Sequence, residues 1–99
     1  MIERYGDDCI HVKSDAFDKN VDLVVLICGI NGMSVYEFKK MYGDDRFNRK
    51  MEYIGHDIEW TIYEWAEGHL RYKDMDVVTA VEYDLEDEHG ITADIYQKV

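Results

Sequence analysis

Carboxylates dominate the chemistry this chain can offer. Eight acids and no Lys or Arg lie between Asp74 and Gln97. Asp84, Glu86, Asp87, Glu88 and His89 crowd one short stretch, and oxygen ligands there could hold Ca²⁺ or Mg²⁺ weakly. The calcium-loop spacing D-x-D-x-D-G is absent, so a solvated acidic turn is expected. Cys9 and His11 fall on one face of a strand, but no second Cys/His pair completes a tetrahedron. His56 and Glu59 sit one helical turn apart, as a surface pair. No metal and no other cofactor is expected.

Nucleophilic chemistry finds no support. The chain has no G-x-S-x-G, phosphate loop, H-E-x-x-H or C-x-x-C. Ser34 reads as a helix cap, and Cys28 ends the apolar run Leu23–Cys28, as an inert core thiol would. The chain is not expected to be an enzyme.

Two constellations suit binding instead. If residues 76–99 form a β-hairpin, Glu82, Asp84 and Glu86 project from one side of a strand and Asp94 from its partner. Residues i and i+2 on a strand are about 6.6–6.8 Å apart, a spacing like that of successive phosphates. Asp87 and Glu88, at the hairpin end beside this ladder, are counted with it as partner-binding residues. The second constellation is the polar side of a long helix. With Phe47 facing the core, Tyr53, Trp60 and Tyr63 fall opposite it among Glu52, His56, Glu59, Glu64 and Glu67. Aromatics ringed by acids suit an interface hot spot, unless the helix is buried on both sides.

These side chains need elements to position them. Residues 45–70 carry Phe47, Met51, Ile54, Ile58, Ile62, Trp65 and His69 at steps of three and four, the stripe of an amphipathic helix. Asp45 is its expected N-cap, and Gly55 is an internal weak point. Ser34 and Glu37 make a capping box that starts a helix over 34–42, and Gly43 stops it. Cys9–Lys13 alternates as a short strand. Residues 77–85 and 91–99 also alternate, with Gly90 as the turn between them. Residues 15–30 fit either a helix or a buried strand, and β-branched content favours the strand.

Gly29-Ile-Asn-Gly-Met-Ser-Val-Tyr-Glu-Phe38 resembles the turn of helix-turn-helix proteins, which tips the reading of 15–30 to helix. The fold expected is α+β: a three-stranded antiparallel sheet, made of the N-terminal strand and the C-terminal hairpin. It packs on one long helix with two shorter N-terminal helices, as one domain over residues 1–99.

Charge sets the function class. The net charge is −11. Residues 1–50 hold nine acids and eight bases, whereas residues 51–99 hold thirteen acids and three bases. A field so lopsided disfavours nucleic acid and anionic membrane and speeds encounter with basic partners. No apolar run approaches a membrane span, and no secretory leader is visible. Two cysteines without a framework suit a reducing cytoplasm. In size and charge the chain resembles phage-encoded inhibitors of CRISPR or restriction systems and immunity proteins against basic nucleases. The resemblance implies a protein that occludes a basic nucleic-acid-binding surface of a partner, as a nucleic-acid mimic in the cytoplasm of a host cell. Two rivals stand beside it. One is a helix-turn-helix DNA binder using residues 34–50, with Lys39, Lys40, Arg46, Arg49 and Lys50 on phosphates. The other is a structural protein that self-associates, as a homodimer for example, by its aromatic helix face.

Overall fold

Residues 1–98 are described by the structure, a computed structural model. Strands β1 (Ile2–Tyr5), β2 (Cys9–Ser14) and β3 (Val21–Ile30) come first. Helices α1 (Val35–Tyr42), α2 (Asp44–Glu67) and α3 (Val77–His89) follow, and β4 (Ile91–Gln97) closes the chain. The sheet is antiparallel in the order β1-β2-β3-β4. The architecture is α+β, with four strands where three were expected and a different set of helices.

The first correction concerns residues 15–30, expected to be helical. Val21, Leu23, Val25 and Ile27 are buried, alternating with half-buried Asp22, Val24 and Leu26. Both parities are apolar because β3 is an inner strand: Val25 lies between Ile10 of β2 and Ile95 of β4. A 3₁₀ turn at Ala16–Asp18 turns the chain from β2 into β3. The helix-turn-helix likeness therefore lacks its first helix.

The second correction concerns residues 77–86, expected to be a strand. The Asp76 side chain accepts a hydrogen bond from the Thr79 amide at 2.7 Å, capping α3. Gly90 ends it in the left-handed conformation, with its amide donating to the Glu86 and Leu85 carbonyls. A Cβ at Gly90 would collide with the Asn31 carboxamide. Gly90 is thus a helix stop rather than a hairpin turn. Val77, Ala80, Val81 and Leu85 are buried at helical spacing, and three of them, Val77, Val81 and Leu85, also fit an alternating strand. β4 then runs beside β3, not beside the strand at Cys9. The expected hairpin's last residue, Val99, lies outside the described residues.

The long helix is present with shifted ends. Phe47, Met51, Ile54, Ile58 and Ile62 are fully buried against the sheet, while His69 lies past the helix end and is exposed. Gly43, rather than Asp45, precedes the first turn. Gly55 has a packing reason: a Cβ there would stand 2.9 Å from the Ile2 side chain of β1. Helix α1 carries the expected capping box, with Ser34 and Glu37 exchanging hydrogen bonds at 3.1 Å.

Candidate functional site

The carboxylate ladder does not form. On α3, Glu82, Glu86, Asp87 and Glu88 are exposed, whereas Asp84 turns inward and is only 5% exposed. Asp94 lies on β4, away from the others, with its Oδ2 3.6 Å from Cys28 Sγ. A helix turns about 100° per residue, so consecutive acids splay around α3 and lose the phosphate-like spacing. Cys28, expected in the core, is exposed. Its thiol is pushed up by local desolvation and by Asp94, which disfavours a reactive thiolate.

The aromatics do lie on the side of α2 turned away from the sheet. Tyr53, Trp60 and Tyr63 are 64%, 58% and 39% exposed. Trp60 stacks on Tyr63 with ring centres 5.3 Å apart, and Phe17 leans on Tyr63 from the 3₁₀ turn. Glu52, His56 and Glu67 are exposed around them, and Glu59 and Glu64 are half-buried. Glu59 also holds the N-terminal ammonium at 2.8 Å. Trp65, five residues beyond Trp60, faces inward, where its indole N–H donates to the Met75 carbonyl at 2.8 Å.

Between α2 and α3 lies a groove of about 470 Å³ lined by Tyr53, Asp57, Trp60, Glu64, Arg71, Asp84, Glu88 and His89, among others. At its floor, Asp57 from α2 meets Asp84 and His89 from α3. One ligand atom from each lies within 4.8 Å of the others. His89 Nε2 and Asp57 Oδ2 are 2.8 Å apart, and Tyr53 packs edge-on against the imidazole. Asp84 Oδ2 is buried without any hydrogen-bond partner. Burial, followed by the neighbouring Asp57 carboxylate, pushes the Asp84 carboxyl up to about 7, although Thr61 and Arg71 oppose this. Burial also works against the Asp57 carboxylate, but its contacts with Asp84 and His89 outweigh that and hold it below the usual range. The environment thus sets the two acids apart, with Asp57 the more readily ionised and Asp84 the one that holds a proton more tightly. Arg71 closes the rim, bonded to Glu88 at 2.6 Å.

The ladder reading named Asp84 as a solvent-facing charge and passed over Asp57. His89 appeared in the sequence only as a neighbour of acids. One signal could have found the cluster. Asp84 falls in the apolar stripe Val77, Ala80, Val81, Leu85, with a capping Asp before it and a Gly after it. An acid inside a buried helical stripe needs a partner.

Comparison with family models, curated proteins and solved structures finds no match to this chain.

Proposed function

We propose that this chain is a small acidic protein-binding module, non-enzymatic and cytosolic, that occludes a basic nucleic-acid-binding surface of a partner. The docking face is the outward side of α2. One observation carries the reading: three large aromatics stand exposed on a helix whose opposite side is wholly buried. They are set among acids in the half of the chain that bears nearly all the net charge. Rigid aromatics bury area at little entropic cost, and the acids around them steer a basic partner and fix its register. The phosphate-spaced ladder is no part of this proposal. The mimicry that remains is one of charge and not of spacing. Free thiols at Cys9 and Cys28 fit a reducing compartment, and no helix among the described residues is long and apolar enough to cross a membrane.

The test is an NMR titration of the ¹⁵N-labelled protein with an arginine-rich peptide at two salt concentrations, with duplex DNA as the comparison. Shifts should concentrate over residues 53–67, weaken with salt and be absent with DNA. Trp60→Ala should cut peptide affinity at least about tenfold, the order of a hot-spot truncation, with little change in melting temperature. Shifts spread evenly over all exposed acids, Asp94 included, would reduce the acidic surface to a solubility device.

A further inference from the structure

The floor of the groove between α2 and α3 holds a donor set that the docking face does not use. Asp57, Asp84 and His89 bring two carboxylates and one imidazole from two helices, with one ligand atom of each within 4.8 Å of the others. A tetrahedral ion bound at about 2.0–2.2 Å needs its ligands some 3.3–3.6 Å apart. The 2.8 Å contact between His89 and Asp57 falls short of that value, and the atoms of all three residues lie within 4.8 Å of one another. A tetrahedral shell asks the His89 and Asp57 atoms to part by about 0.5–0.8 Å.

A second observation points the same way. Asp84 is nine-tenths buried, and its Oδ2 has no donor to meet. Buried polar oxygens are nearly always paired, and the Asp57 carboxylate beside this one raises the cost of leaving it unpaired. Arg71, the nearest available cation, is engaged with Glu88 at the rim. A divalent ion at the floor would satisfy Asp84 Oδ2, neutralise both acids and take the imidazole nitrogen as its third ligand.

We propose that Asp57, Asp84 and His89 form a binding site for a divalent first-row transition ion, with zinc the best fit. The mixed nitrogen and carboxylate donors favour zinc over magnesium, which prefers an all-oxygen octahedron and keeps its waters. Three protein ligands leave a coordination position open, which water can fill. The ion would clamp α3 to α2. The site shares Tyr53, Trp60 and Glu64 of the groove wall with the docking face proposed above, but none of its three ligands belongs to that face.

The experiment is calorimetric titration of the whole, chelator-stripped protein with zinc chloride, then with magnesium chloride, alongside thermal melts. Zinc should bind one to one and raise the melting temperature by about 5–10 °C at saturation, as ligand linkage in a domain of this size implies. Asp84→Asn should weaken zinc binding at least about tenfold, and its melt in chelator shows whether it folds. His89→Gln should weaken binding similarly, and Cys28→Ser, which removes the exposed thiol, should bind like wild type. A zinc titration unchanged by Asp84→Asn would overturn the assignment. So would the absence of a zinc-dependent melting shift in wild type, or magnesium binding more tightly than zinc.

Discussion

Two aspartate–histidine pairs sit on opposite sides of this fold, and they are built differently. On the outer face of the sheet, His11 of β2 meets Asp22 of β3. There the histidine is the buried partner, and the carboxylate is about one-third open to water. One acid faces one base, with Lys13 and Lys98 nearby, and the Asp22 carboxyl is held below its usual range, chiefly by the hydrogen bond with His11. Between α2 and α3, Asp57 meets His89 in the same way, but Asp84 adds a second, buried carboxylate. The first pair is balanced. The second has one acid too many, and its excess is where a proton or a cation is held. The same two residue types thus serve as a strand clasp in one place and as a candidate ligand site in the other.

Removing a histidine should separate them most sharply. His89→Ala leaves the half-buried Asp57 and the buried Asp84 facing each other without their base, and breaking a buried pair on one side typically costs about 3 kcal/mol or more. Urea unfolding at pH 7 in chelator should register a loss of that order. Adding Asp84→Asn should restore most of it, because the carboxamide can donate to Asp57 where a carboxylate cannot. Simple additivity in this double-mutant cycle would mean that the two side chains do not interact, and the contrast between the pairs would fail.

The next effect in size has a sign fixed by linkage. The Asp84 carboxyl titrates near 7 in the folded chain and near 4 when unfolded. Between those values only the folded state keeps the proton, so stability falls as pH rises from about 4 to about 7 and then levels. The full span is worth at most about 4 kcal/mol, and relaxation should leave about 1–3. Asp84→Asn should therefore stabilise the chelated protein by that amount at pH 8 and by almost nothing at pH 4. Asp57, His89, Arg71, Glu64 and Glu88 face the same groove, so the informative quantity is the wild-type-minus-variant difference across pH. A flat difference would mean that Asp84 is ionised throughout.

The sequence made α2 readable because five of its core residues recur at helical spacing with no competing period, and the Ser34–Glu37 box fixed the start of α1 by local chemistry alone. It misled where two periods fit the same residues. Val77, Val81 and Leu85 satisfy a step of two and a step of four equally well. The deciding cues were the Asp76 cap and the Gly90 stop, which depend on backbone geometry and not on hydrophobicity. In β3 the apolar residues cover both parities, since the strand is flanked on both edges, so alternation was hidden. The site followed the fold. Tyr53, Trp60 and Tyr63 were legible because α2 was, and the Asp57–Asp84–His89 cluster was not, because it needs α3 to be a helix.

The smallest expected change lies in the balanced pair. His11→Ala removes a buried ring and its bond to Asp22, but the carboxylate left behind is partly solvated and has Lys13 and Lys98 within electrostatic reach. It can turn to water, so the loss should be about 1 kcal/mol, near the centre of the distribution for single substitutions and well under that of His89→Ala. Its pH signature should run opposite to that of Asp84. Because the folded Asp22 carboxyl lies below the unfolded value near 4, the unfolded chain binds more protons over that interval. The contribution of the pair is therefore complete above about pH 4 and is lost as pH falls through the folded value. Acid unfolding followed by circular dichroism should show a steeper decline below pH 4 in wild type than in Asp22→Asn, and the two curves should run parallel from pH 5 to 8. If Asp22→Asn instead altered the slope near pH 7, the sheet pair would share the excess-acid character of the groove, and the distinction between clasp and ligand site would collapse.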